Sequence, residues 1–169
     1  MVYRHAPSNY LCPLCELAAG RDNPAPHCGR SDRVFYTDHV TAFIGARFWP
    51  NNPAPVLVAP NQHVENIYEL GPELAAHIHE AARQVALGLK RVRNCAGITT
   101  WQHNEPAGNQ SVWHYHLHVF PRFDGDGLYE LIQQHRYTNP EERAPYADQL
   151  REHFAGTDAN GARAQGHRT

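Results

Sequence analysis

The chain has 169 residues, 41% of them hydrophobic and 19% charged, with a formal net charge of -2 at neutral pH. That length suits one domain with its own core, and the charge balance excludes extended electrostatic binding of nucleic acid. The start Met1-Val2-Tyr3-Arg4-His5-Ala6-Pro7 has no apolar leader run and no stretch reaches the ~18 apolar residues of a membrane span, so a cytoplasmic protein that makes no use of a membrane is expected.

The first thirty residues are rich in Pro, Gly and Cys and read as a loop around a short helical turn at residues 16–19. Within them Cys12-Pro13-Leu14-Cys15 has the spacing of a zinc half-site, for which histidine is the usual complement. A redox pair or two unrelated buried cysteines are the alternatives. Residues 33–37 and 40–44 then form two short β-rich runs about a turn at Asp38, the pattern of a hairpin. Residues 48–55 are irregular, because Pro50, Pro53 and Pro55 lack amide donors, and Val56-Leu57-Val58-Ala59 returns to a buried strand pattern.

From Pro72 to Arg93 the apolar residues Leu74, Ile78, Ala81, Ala82, Val85, Leu89 and Val92 recur every three or four positions, which predicts one amphipathic helix begun by Pro72 and ended near Asn94 and Gly97. Residues 98–101 read as a strand, and 103–111 as a polar loop. The order strands, helix, strands predicts an α+β fold, an antiparallel sheet with one principal helix packed on it. One or two further helices are expected between 128 and 154; residues 1–155 form the domain, and 156–169 are too poor in apolar residues to pack.

In Trp113-His114-Tyr115-His116-Leu117-His118-Val119 the period of two, if the segment is a strand, sets three imidazoles on one face about 7 Å apart and the aromatic and aliphatic residues on the other. Buried together as passive core, those imidazoles would leave polar nitrogens without partners. A solvent-facing row and a simple metal clip are the bland readings. His5, His135, His153 and His167 lie at polar positions and are given no role; His77 and His79, two apart on a helix, face different ways.

The run Gln110-Ser111-Val112-Trp113-His114-Tyr115-His116-Leu117-His118-Val119-Phe120-Pro121-Arg122 resembles the signature of the histidine-triad family, and Val56-Leu57-Val58-Ala59-Pro60-Asn61-Gln62-His63 is similar to that family's Leu-Val-x-Pro-x-x-His strand end. The resemblance spans about residues 12–122 and implies a five-stranded antiparallel sheet with a principal helix and a smaller C-terminal helix, commonly in a homodimer, acting on a nucleotide at its α-phosphorus. It implies His116 as nucleophile, His118 and Ser111 as its catalytic companions, and Asn104, Asn109 and Gln110 as groups that hold substrate. It also implies structural zinc on Cys12, Cys15, His63 and His114. Hydrolysis of a nucleoside phosphoramidate or dinucleoside polyphosphate is the leading expectation; a nucleotidyltransferase using the same intermediate, and a non-catalytic nucleotide- or zinc-binding module, are the rivals.

The sequence also departs from the family. Where many relatives carry an aspartate that holds ribose hydroxyls, Phe43-Ile44 is followed by Gly45, and the next loop carries Arg47, Trp49, Asn51 and Asn52. Trp49 stacking on a base and Asn52 binding ribose are the replacements expected here, with core packing of Trp49 as the alternative.

Overall fold

The β-rich runs pair as their alternation requires. In the computed structural model, which describes residues 3–24 and 26–165 with side chains to residue 156, β1 (Arg33–Tyr36) and β2 (Val40–Ile44) form a hairpin. Its turn is held by Thr37, whose Oγ1 accepts from the amides of His39 and Val40, both at 3.2 Å. β3 (Arg47–Phe48) follows, and then β4 (Val56–Pro60), β5 (Gly97–Gln102) and β6 (Leu117–Arg122) complete a five-stranded antiparallel sheet in the order β1-β2-β4-β6-β5. The expected α+β plan is therefore present, with β4 and β6 adjacent in the middle of the sheet and β5 at its edge.

α2 (Pro72–Arg93) has the bounds that its periodicity predicts, with Pro72 in the first turn and Asn94 ending it in the left-handed region at φ 48°. Its stripe Ile78, Ala81, Ala82, Val85 and Leu89 packs on Ala42, Ile44, Val56, Val58, Leu117 and Val119 of the sheet. Each fully buried Ile, Val or Leu among them contributes on the order of 1.5–3 kcal/mol. α3 (Pro140–Gln165) lies beside α2 and adds Ala147, Leu150 and Phe154 to the same core. Gly88 marks the close approach, since a Cβ there would come within 3.2 Å of Leu150 and His153. No helix among the described residues is long and apolar enough to cross a membrane.

Several local expectations are corrected. The N-terminal helix, α1 (Pro13–Ala18), starts three residues before the expected turn, because Pro13 is pre-set for the first helical position. The triad segment is not one strand: β6 begins only at Leu117, and residues 111–116 are irregular. The C-terminal helix, expected as the smaller, is longer than α2 and runs on to Gln165 through much of the expected tail; residues 166–169 lie outside the described residues. A second, two-stranded sheet pairs β3 with β7 (Arg136–Tyr137), and Thr138 fastens it by donating its amide to the Ala46 carbonyl at 2.9 Å.

Two buried ion pairs pin loops to this frame. Arg143 Nε donates to Asp32 at 2.7 Å, both side chains at most 2% exposed. Asp126, 2% exposed at its side chain, accepts from Arg122 Nε and Nη2, Asn52 Nδ2 and the amides of Phe123 and Leu128. The Arg122 hydrogen bonds, followed by those of Asn52 and the backbone, hold the Asp126 carboxyl well below the usual carboxylate range. A carboxyl depressed in the folded state stabilises fully above its unfolded pKa of about 4, and that contribution is lost as pH falls through the folded value. Asp126→Asn should therefore cost about 3 kcal/mol in urea unfolding at neutral pH, and the gap from the parent protein should narrow steadily below about pH 4.

Candidate functional site

α1 brings two sulfurs together because Cys12 is its N-cap and Cys15 lies three residues on, in the same turn. Leu14 and Leu17 anchor that turn on Phe43 and Ala59 of the sheet. His114 Nδ1 lies 3.2 Å from Cys12 Sγ and 3.5 Å from Cys15 Sγ, while His63 Nδ1 lies 3.3 Å from Cys15 Sγ. All four ligand atoms fall within 4.8 Å of one another. A tetrahedral ion with bonds of about 2.3 Å to sulfur and 2.0–2.1 Å to nitrogen needs ligand separations of roughly 3.5 Å, so the cluster has the size and the donor set of a zinc site. Burial, and then Cys12 alongside, push the Cys15 thiol up to about 12. A bound cation relieves that cost by taking the thiolate.

The tautomer of His114 is fixed by its other nitrogen. Nε2 faces the Pro60 carbonyl at 2.9 Å, and a carbonyl only accepts, so Nε2 carries the proton and Nδ1 turns its lone pair to the sulfurs. Burial, outweighing this hydrogen bond, lowers the His114 pKa to about 4, so the ring is neutral as a ligand must be. The same residue's carbonyl accepts from His116 Nδ1 at 2.7 Å. His116 consequently has its proton on Nδ1 and a free lone pair on Nε2.

His116 and His118 stand with ring centroids 4.9 Å apart, and Phe120 lies 5.9 Å from His118 in a near-parallel stack. Tyr115, Leu117 and Val119 alternate with them into the main core. The expected division of faces thus survives for His116 and His118 without a continuous strand, and His114 turns aside to the cysteines. Desolvation lowers the pKa of His116 and takes that of His118 well below the ordinary value, so both rings are neutral near pH 7. His118 Nδ1 is buried with no hydrogen-bond partner among the described residues.

Of the remaining expected residues, Ser111 and Asn109 are exposed at the rim, Asn109 in the left-handed region at φ 66°. Gln110 is buried and works as a clamp: Oε1 accepts from the Glu105 amide at 2.8 Å, and Nε2 donates to the carbonyls of Glu65 and Val112. Asn104 Oδ1 accepts from the Ile67 amide at 2.8 Å, and its Nδ2 donates to Gln102. Asn52 and Trp49, expected to contact substrate, are only 1% and 8% exposed. Asn52 Nδ2 is spent on Asp126 and the Pro121 carbonyl, and Trp49 packs on Phe120 and donates Nε1 to the Ile132 carbonyl. The sequence alternative of core packing holds for Trp49. At the position of the missing aspartate, a Cβ on Gly45 would stand 2.6 Å from Leu57 Cδ1, so Leu57 would have to turn aside for any side chain there.

Two residues beside the triad had no role in the sequence reading. His103 lies 5.8 Å from His118 between ring centroids, with Nδ1 2.8 Å from the Gly108 carbonyl, so its Nε2 is the free nitrogen. Trp101 is paired with His118 across β5 and β6, and His103, two residues further, shares that face. Arg47 is the second, and its charge disfavours the imidazolium form of both His116 and His118. The signal for His103 was its spacing from Trp101; Arg47 carried none, since its placement depends on β7.

A five-stranded sheet with paired imidazoles at the start of β6, and a cluster of four possible metal ligands beside them, defines a histidine-triad architecture. The HIT domain family matches residues 29–125, more than half of the chain, and the chain belongs to that family. It is 33% identical over 125 residues to Protein hit of Bacillus subtilis, covering 73% of this chain and 80% of that one. It is 31% identical over 94 residues to the bifunctional bis(5'-adenosyl)-triphosphatase/adenylylsulfatase of Arabidopsis thaliana, covering 55% and 51% of the two chains. The crystal structure of a Zn-bound histidine triad family protein from Mycobacterium smegmatis shares the fold with a TM-score of 0.68 at 24% identity, over 88% of this chain and 96% of that one.

The clamp role of Gln110 predicts that Gln110→Ala, by stripping buried backbone groups of their partners, costs about 1–3 kcal/mol of stability. Urea unfolding checks the cost, and faster amide exchange over residues 103–112 checks its location.

Proposed function

We propose that this chain cleaves nucleotides at the α-phosphorus through a covalent nucleotidyl intermediate on His116. The observation that carries the reading is the His116 Nδ1 to His114 carbonyl contact of 2.7 Å, which leaves Nε2 unprotonated at neutral pH. His116 Nε2 forms the bond to phosphorus as the bond to the leaving group breaks. His118 donates to the phosphoryl oxygens as charge develops there, and Ser111 at the rim supplies a second donor. Water then attacks phosphorus, the P–N bond breaks back to His116, and a nucleoside monophosphate leaves. The bis(5'-adenosyl)-triphosphatase name of the Arabidopsis relative supports this reaction class.

Zinc on Cys12, Cys15, His63 and His114 is part of the proposal, supported by the donor set and by the Zn-bound relative. With all four positions filled by protein it supplies structure, not a site for substrate. Its coordination would hold the His114 ring, and with it the carbonyl that orients His116. A homodimer joined through the edge strand β5, whose residues are only partly buried or exposed, completes the reading. Its test is the mass in solution.

Two measurements follow. Product chromatography with adenosine phosphoramidate and diadenosine polyphosphates should show AMP released by the parent protein, with at least a thousandfold loss for His116→Asn; nucleotide binding without turnover would instead favour a binding module. AMP release that gives way to a longer nucleotide when inorganic phosphate is added would assign the transferase reading. Metal analysis of protein purified without chelator should find one zinc per chain, absent from Cys12→Ser, which should also unfold several kcal/mol more easily. Protein free of zinc yet equally active would remove the metal from the proposal.

A further inference from the structure

The loop that follows β2 has one polar side chain free to serve the triad. Gly45 has no side chain to offer. Asn51 Nδ2 donates to the Asp126 carbonyl at 3.0 Å, and Asn52 Nδ2 to the Asp126 carboxylate at 2.6 Å, so both amides face inward. Trp49 is core. Arg47 remains. In β3 successive side chains point opposite ways, and Phe48 is committed to the helix side, with its ring 5.5 Å from Tyr146 of α3. Arg47 therefore leaves the ribbon on the other side.

There it is held but not neutralised. Nη2 donates to the Tyr137 hydroxyl at 2.8 Å, and Cζ lies 5.0 Å from the Tyr137 ring centroid. Among the described residues Arg47 forms no ion pair, whereas Arg122, Arg136 and Arg143 each have a carboxylate. The hydrogen bond to Tyr137 lies at the surface, so the Arg47 guanidinium is open to an anion from solution. Its remaining N–H groups keep the planar fork that matches two phosphate oxygens.

We propose that Arg47, held in place by Tyr137, is a phosphate-binding residue of the triad site and engages the phosphate oxygens of a bound nucleotide. Phe48 shares its core cluster with Tyr115, Leu117 and Val119, so Arg47, on the other side of β3, emerges on the face that carries His116 and His118. The inference rests on the nucleotide reading above and assigns the β3–β7 ribbon a task, which is to present this guanidinium. Substrate recognition in the loop then depends on charge, where an aspartate would have read hydroxyl groups.

Titration calorimetry with AMP, ADP and adenosine tests it, with circular dichroism to confirm folding. Arg47→Gln should bind AMP and ADP about tenfold or more weakly and adenosine unchanged, the expected loss for a charge-assisted hydrogen bond. Arg47→Lys should fall between the two, keeping charge without the fork. Tyr137→Phe should lose about threefold toward both phosphorylated ligands, since the hydroxyl that fixes the guanidinium is gone. Unchanged AMP and ADP affinity in Arg47→Gln, or an equal loss for adenosine, would overturn the assignment while leaving the nucleotide reading in place. No binding of any phosphorylated ligand by the folded parent protein would remove both. A Tyr137→Phe protein indistinguishable from the parent would overturn the role of Tyr137.

Discussion

His114 makes two hydrogen-bonding commitments at once, and the site depends on both. Its ring gives the Nε2 proton to the Pro60 carbonyl and turns Nδ1 to Cys12 and Cys15, while its carbonyl takes the Nδ1 proton of His116. One residue thereby connects the N-terminal cysteine turn, the end of β4 and the proposed nucleophile. If the ring moved, the carbonyl that orients His116 would move with it. A metal centre of purely structural kind can in this way govern reactivity two residues away, by fixing a tautomer.

Burial supports the same chemistry. The sheet face that carries His116 and His118 is dry enough to keep both rings neutral, which a nucleophile requires and a phosphate-binding cation does not. Positive charge is instead delivered from the side by Arg47. Nucleophilicity and charge are thus divided between groups on different elements. Neutral imidazoles come from the sheet, and the cation from a ribbon that joins residues ninety positions apart in the chain.

The loops around the site owe their shape to a few polar side chains whose partners are backbone groups. Gln110 ties Glu105, Glu65 and Val112 together, Asn104 holds the Ile67 amide, and Asp126 gathers Arg122, Asn52 and two amides. Each is a type that serves substrates in other settings. Here the irregular backbone beside the triad has amides and carbonyls to satisfy, and these side chains satisfy them. Asn52 and Trp49 were expected to face substrate for want of any sign in the sequence that Asp126 and Phe120 would claim them.

Where residues that act together are near neighbours, or keep a period, the sequence alone determined the outcome. The stripe from Leu74 to Val92 with Pro72 and Asn94 at its ends yields α2 to the residue, the Cys12–Cys15 spacing yields half of a metal cluster, and the triad run yields the family. An alternating run does not say whether it is a strand or an irregular extended segment, so the start of β6 at Leu117 was decided only when Tyr115 and His114 found partners in Val64 and Pro60. The two-residue strands β3 and β7 are too short to carry a pattern. Their pairing, and with it the position of Arg47, exists only because α3 and the sheet bring residues 47 and 137 together. Tertiary structure decided those contacts for a physical reason: the energy that fixes them lies in partners distant along the chain, and no local preference encodes it.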